Sequence, residues 1–219
     1  KNHGFGTRRL PLETGYYEVY NQENVTLIDI NKTPIECINE NGIKTSEKEF
    51  ECDLLIYATG FDGVTGPYDR IDIKGKEGRC LKEEWTTFPR TLFGMQVDGY
   101  PNMLMILGPH TARGNIPRNI EEVVEWQTDL ISFMVENKFD RVEPKSDAVD
   151  EWITTVSKAS EGLLSSKIAS WQTGVNRNVE GRSAPRVLGY NGGAVRYRKI
   201  IEDVASREYE EFTFSKMSQ

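Results

Sequence analysis

The chain has 219 residues, 37% apolar and 28% charged, with a net charge of −7 at neutral pH; this balance suits a globular protein of one domain, or one domain and part of another. No apolar run approaches the roughly 20 residues of a bilayer span, and an acidic chain without a basic block argues against nucleic-acid binding. Cys37, Cys52 and Cys80 are odd in number and form no close metal-ligand pair, which favours a reducing, cytoplasmic setting, and His3 and His110 are too few for a histidine-rich metal site.

In chain order, Asn24 to Ile30 reads as a buried strand, Pro34 to Asn39 as another, and Glu40-Asn41-Gly42 as a turn that returns through 42–45 and 49–52. Leu54 to Tyr57 is apolar and strand-like. Ala58, Thr59 and Gly60 then remove the side-chain bulk that would hold a flat ligand off the main chain, so a strand and turn touching a nucleotide is expected there. A plain strand-to-glycine turn is the alternative. Residues 62–99 read as irregular, anchored by Trp85 and Phe88, and Asn102 to Leu107 as a short buried strand ending at Gly108-Pro109. Pro117 suits the first turn of a helix in which Ile120, Val123, Val124, Leu130, Ile131 and Met134 recur at helical spacing. Ser146 or Asp147 is expected to cap a further helix with Val149, Trp152, Ile153 and Val156 on one face. A last helix over about 193–206 precedes a terminal strand at 211–214.

Few residues stand out chemically. The pair Arg8-Arg9 is by default solvated charge, yet two always-charged planar donors are also suited to stabilising an anion. Trp171, between a helix and a glycine turn, reads equally as a packing residue. The N–H groups of Asn115 and Ile116 open the helix at Pro117, where the helix dipole favours an electron-rich ligand edge; a simple cap by Asn115 fits as well. His110 fits no catalytic scheme. A Gly-x-Gly-x-x-Gly turn opening a helix, the usual cradle for a pyrophosphate, is absent from the sequence.

The ordered segments Gly6-Thr7-Arg8-Arg9-Leu10, Gly15-Tyr16-Tyr17, Ala58-Thr59-Gly60-Phe61-Asp62, Tyr100-Pro101-Asn102-Met103, Asn115-Ile116-Pro117, Ser170-Trp171, Gly174-Val175-Asn176 and Tyr190-Asn191-Gly192-Gly193 resemble the Baeyer–Villiger monooxygenases over about residues 7–214. The resemblance implies an α/β fold, part of a flavoprotein with two dinucleotide-binding (Rossmann-like) domains. Residues 1–57 would end the NADP-binding domain with a β-excursion, and 58–219 would form the C-terminal part of the FAD-binding domain with its substrate and control loops. The implied activity is FAD- and NADPH-dependent conversion of a ketone to an ester or lactone with O2, through a peroxyflavin. The family's two glycine-rich motifs lie ahead of the matched segments. Lys1 is therefore expected to be an internal position, a missing N-terminal part of the same polypeptide to be the main partner, and the chain alone to be inactive and unable to retain FAD.

Residue by residue, the resemblance places Arg9 on the catalytic arginine and Arg8 on a basic residue, more often Lys, that contacts the 2′-phosphate of NADPH. Ala58, Thr59, Gly60, Asn115 and Ile116 fall on cofactor contacts. Trp171 falls on the aromatic of a mobile loop that closes over the nicotinamide ribose and excludes water. Leu188, Gly189 and Tyr190 fall beside the ketone pocket. The stretch from Asn178 to Ala184 is longer and more polar than the family's short Pro-Gly-Lys connection, nearer to the branch accepting large ketones, and is expected to be mobile without cofactor. Two other readings are a flavin-containing monooxygenase that oxygenates amines or sulfides, against which Arg8-Arg9 ahead of Tyr16-Tyr17 speaks, and a non-catalytic remnant acting as a binding module.

Overall fold

The computed structural model describes residues 3–8, 10–176 and 179–216, in two compact units: Arg9–Gly60, and Lys1–Arg8 with Phe61–Gln219. In the smaller unit one helical turn, α1 (Tyr16–Val19), precedes a three-stranded antiparallel sheet of β1 (Ile35–Ile38), β2 (Gly42–Thr45) and β3 (Glu49–Glu51), in that order. Asn39 builds its first turn: the side-chain oxygen accepts the N–H groups of Asn41 and Gly42, each at 3.0 Å. Gly42 takes φ +152, where a Cβ would overlap the Phe50 carbonyl. This hairpin is the one expected from the sequence.

Two expected strands do not form. Residues 24–30 and 54–57 carry no strand pairing, and Leu27, Ile30, Leu54, Ile56 and Tyr57 are all more than half exposed. A strand exists only when a neighbour supplies hydrogen bonds along its edge. The sheet of this unit closes on itself through short turns and pairs with neither segment.

The larger unit opens with single turns α2 (Gly66–Asp69) and α3 (Leu81–Glu84) in an irregular stretch. As expected, Trp85 anchors it, packed with Leu81, Val97, Tyr100 and Met105. The main core lies between α4 (Ile116–Glu136), α5 (Ser146–Ser160) and α6 (Ala194–Ser206), which meet through Val123, Trp126, Leu130, Val149, Trp152, Val156, Tyr197 and Ile201. An antiparallel ribbon of β4 (Arg141–Pro144) and β5 (Phe212–Ser215) closes this unit, with Val142 opposite Phe214. Among the described residues no helix is long and apolar enough to cross a membrane.

Three local expectations need correction. The buried stripe of α4 is Asn119, Val123, Trp126, Gln127 and Leu130, while Ile120, Val124 and Ile131 are exposed. Two amides turn that stripe inward: Asn119 donates to the Ala112 carbonyl at 3.0 Å and Gln127 to the Met105 carbonyl at 2.8 Å, satisfying backbone groups that no sheet satisfies. Residues 102–107 form no strand, because Asn102 (φ +61) and Leu107 (φ +55) are left-handed and break the pleat. The N-cap of α5 is Lys145. Ser146 is already helical, and its hydroxyl donates to Asp98 at 3.1 Å.

Candidate functional site

The connection into α4 and the segment ahead of α6 run side by side. His110 N–H donates to the Leu188 carbonyl (3.2 Å), Tyr190 N–H to the Thr111 carbonyl (2.9 Å), and Arg113 N–H to the Tyr190 carbonyl (3.3 Å), a short parallel pairing about Ala112 and Tyr190. His110 fastens it from inside. Its ring is fully buried, stacked on Phe88 at 5.2 Å, with Nε2 3.1 Å from the Val187 carbonyl and Nδ1 3.1 Å from the Thr91 hydroxyl. A carbonyl only accepts, so Nε2 carries the proton, while Nδ1 faces a Thr91 hydroxyl whose single proton also has the Pro109 carbonyl within reach at 2.7 Å. Burial pushes its pKa down to about 4, against a smaller opposing effect of the Val187 carbonyl. His110 is therefore a neutral structural pin at working pH.

Asn115 caps α4: its side chain accepts the Arg118 N–H at 3.2 Å, and its carbonyl accepts the Asn119 N–H at 3.0 Å. As the first residue of the helix, Ile116 has an amide without an intrahelical acceptor and is 56% exposed, and Pro117 after it has no N–H to satisfy. Leu188 and Tyr190 are wholly buried, and Tyr190 stacks within the core, 5.0 Å from Trp152. Gly189 lies between them under the Arg113 side chain; a Cβ there would come within 2.5 Å of Arg113 Nε.

Trp171 begins a single 3-10 turn (Trp171–Thr173) closed by a reciprocal cap, Ser170 with Thr173. Thr173 is buried and donates to the Ile168 carbonyl at 2.7 Å. Trp171 itself is 57% exposed and lies over Gly63, where a Cβ would be 3.1 Å from the ring. Arg8 reaches this turn, donating to the Ala169 carbonyl at 2.9 Å. Arg113 reaches it too, through the Gln172 carbonyl at 2.7 Å and the Gln172 side-chain oxygen at 3.3 Å.

The described part of the stretch 178–184 carries a buried arginine. Arg182 is 4% exposed and binds both the Thr65 hydroxyl and the Asp69 carboxylate. The backbone closes on itself through Asn176 N–H to the Arg182 carbonyl at 2.9 Å. Burial pushes the Asp69 carboxyl pKa up, and Arg182 pulls it back down.

Arg8, Asn115, Ile116, Trp171, Leu188, Gly189 and Tyr190 thus all belong to the larger unit. Ala58, Thr59 and Gly60 belong to the smaller, exposed and irregular, with Gly60 at φ +84. Arg9 and Asn178 lie outside the described residues. Sequence reasoning passed over Arg113, Arg182 and Arg186. Among the described residues no cluster of three or more His, Cys, Asp or Glu could hold a metal ion.

No protein-family model matches the chain. It is 38% identical over 216 residues to the 2-oxo-Δ(3)-4,5,5-trimethylcyclopentenylacetyl-CoA monooxygenase of Pseudomonas putida, covering 97% of this chain and 39% of the relative. It is 40% identical over 201 residues to the cyclohexanone 1,2-monooxygenase of an Acinetobacter species, covering 91% and 36%. The solved structure of the OTEMO complex with FAD and NADP matches with a TM-score of 0.87 at 37% identity, over 98% of this chain and 39% of that one. The chain spans about two fifths of the length of the proteins it matches. Fold and sequence together define part of an α/β flavoprotein monooxygenase with two dinucleotide-binding domains. The chain belongs to the Baeyer–Villiger monooxygenase family.

Proposed function

We propose that the chain is part of an FAD- and NADPH-dependent Baeyer–Villiger monooxygenase that converts ketones to esters or lactones: ketone, O2, NADPH and a proton give ester, NADP+ and water. The observation that carries this reading is likeness to monooxygenases at 38–40% identity along more than nine-tenths of the chain. In this reading residues 1–57 end the NADP-binding domain and 58–219 belong to the FAD-binding domain. Three free cysteines suit a reducing, cytoplasmic setting.

The chain's residues fit one part of each cofactor. The free Ile116 amide at the start of α4 suits the electron-rich edge of a flavin, with Asn115 as the cap that positions it. Ala58-Thr59-Gly60, short of side chains, suits close approach of a nucleotide. The glycine-rich turns that cradle pyrophosphates are not among these 219 residues; a further part of the enzyme supplies them, and the chain alone is incomplete and inactive. When bound, FAD reduced by NADPH supplies the oxygen-activating chemistry.

Arg9 stabilises the negative charge that builds on the substrate carbonyl oxygen. Arg8 takes the 2′-phosphate of NADPH, with a guanidinium that among the described residues donates to a neutral carbonyl, that of Ala169. Trp171, the exposed aromatic of its turn, closes over the nicotinamide and excludes water. Leu188, Gly189 and Tyr190 support the ketone pocket, Leu188 and Tyr190 from the core side.

The test is made in the complete enzyme. Arg9→Ala is expected to keep its flavin and lose ester formation; ester at near the unmodified rate would remove the reading. Arg8→Ala is expected to raise KM for NADPH far more than for NADH, and equal losses with both would strip Arg8 of its role.

A further inference from the structure

The turn that carries Trp171 is held through neutral oxygens by two arginines, Arg113 and Arg186, the second of which also feels the charge of Asp62 and Asp69. Arg113 is half-buried, no carboxylate among the described residues lies within ion-pair distance of it, and burial alone pushes the pKa of its guanidinium down. Its fork nevertheless grips both oxygens of Gln172, the residue after Trp171. Arg186 donates to the carbonyl of Gly174 at 3.3 Å, its Nε is buried without a partner, and its own backbone N–H donates to the Thr173 carbonyl at 2.8 Å. Each guanidinium lies over a glycine. A Cβ on Gly189 would stand 2.5 Å from Arg113 Nε, and one on Gly174 would stand 2.7 Å from Arg186 Nη2.

Burying a guanidinium on neutral acceptors is costly, and a carbonyl is a weaker partner than a carboxylate. Solvated arginines would avoid both costs. What the arrangement secures is geometry: a planar fork fixes the direction as well as the distance of the oxygens it holds, which a lysine does not. The backbone of Arg113 is itself fixed to the segment ahead of α6, through its N–H to the Tyr190 carbonyl at 3.3 Å.

We propose that Arg113 and Arg186 are positioning residues that clamp the Trp171 turn by its carbonyls and so set where Trp171 stands. The inference rests on the reading of Trp171 as the closing aromatic, and it adds the residues that fix its resting place. Gly189 is a glycine because the Arg113 side chain passes over it; Gly174 also needs its left-handed backbone, φ +70, and a Cβ there would meet Leu188 as well as Arg186.

Tryptophan fluorescence of the 219-residue chain reads this directly. Trp85, Trp126 and Trp152 are 1%, 5% and 3% exposed against 57% for Trp171, so acrylamide quenching reports Trp171, and Trp171→Phe checks that assignment by removing the quenchable part. Arg113→Gln is expected to raise the quenching constant about twofold, Arg113→Lys to restore little of it, and Arg186→Gln to act in the same direction. Gly189→Ala keeps the charge but displaces the guanidinium, and should reproduce Arg113→Gln; it carries the test if Arg113→Gln does not fold. Quenching unchanged in both Arg113→Gln and Gly189→Ala, with native circular dichroism, would overturn the clamp. In the complete enzyme, Arg113→Gln should release more hydrogen peroxide per NADPH, as Trp171→Ala should. If Trp171→Ala couples as tightly as the unmodified enzyme, the closing role of Trp171 falls, while quenching still decides the clamp.

Discussion

In the larger unit, Trp126, Leu130, Val149, Trp152 and Ile201 are 5% exposed or less, whereas in the smaller unit Leu27, Ile30, Ile35, Ile38, Leu54, Ile56 and Tyr57 are 45% to 75% exposed. The residue types are alike, and the difference lies in the backbone. A helix satisfies its own N–H and C=O groups, so an apolar stripe is enough to place it against another helix. A strand needs a neighbour. In the smaller unit β1, β2 and β3 find theirs across tight turns, with Ile43 opposite both Ile38 and Phe50, and the segments without one stay unpaired.

The largest effect expected from this contrast is at Trp152, whose ring lies 5.0 Å from both Phe93 and Tyr190 and 6.0 Å from Tyr197. Trp152→Ala should cost about 4 kcal/mol of unfolding free energy, the usual penalty for emptying an aromatic site in a packed core. Urea denaturation followed by circular dichroism measures it. A loss below about 1 kcal/mol would mean that the three-helix core is far looser than its burial implies.

Acid should weaken the same unit through His110. Its folded pKa, about 4, lies below the ordinary 6.5, so the unfolded chain binds the extra proton between these values. The stability due to the neutral ring is thus complete above pH 6.5 and is lost as pH falls toward 4, about 3 kcal/mol in all. His110→Gln should flatten that part of the pH profile in denaturation measured from pH 7 to pH 4. An unchanged slope would assign it to other groups.

Arg182 tests whether charge can do for a loop what apolar contact does for a helix. Removing it strands Asp69, and Arg182→Ala should cost about 2 kcal/mol, below the range for a wholly buried pair because the Asp69 side chain is 28% exposed. Asp69→Asn added to Arg182→Ala should recover part of the loss. If the double variant is no more stable than Arg182→Ala, the stranded carboxylate was not the cause.

What was legible follows the same division. The helices α4, α5 and α6 extend over 13 to 21 residues, long enough for a 3.6-residue period to show, and the Asn-Gly turn marked the hairpin. The inward stripe of α4 was misread because Val123 and Leu130 also fit the stripe that includes Ile120 and Ile131, and Asn119 and Gln127 look solvated until the carbonyls they satisfy are in view. In the site, the Ser170-Trp171 turn and the Asn115 cap could be read from local residues. The arginines could not, since their partners are backbone carbonyls and side chains far off in sequence, Gln172 for Arg113 and Thr65 and Asp69 for Arg182. The available hint was Arg186, set next to Val187-Leu188 where a solvated charge is out of place.

The smallest effect is the one that most sharpens the contrast. Leu54 is 75% exposed, so Leu54→Ser in this chain removes almost no buried apolar area and should change stability by less than about 0.5 kcal/mol. The apolar run from Leu54 to Tyr57 has the composition of a strand buried on both faces, as parallel sheets require. In a longer polypeptide that supplies flanking strands, the same substitution should therefore cost about 2 to 3 kcal/mol, the loss of a buried leucine together with burial of a hydroxyl. Paired denaturation of the two proteins separates the cases. Equal, small effects in both would show that 54–57 is a surface segment with an accidental pattern, whereas a large effect already in the 219-residue chain would mean that it finds a partner there.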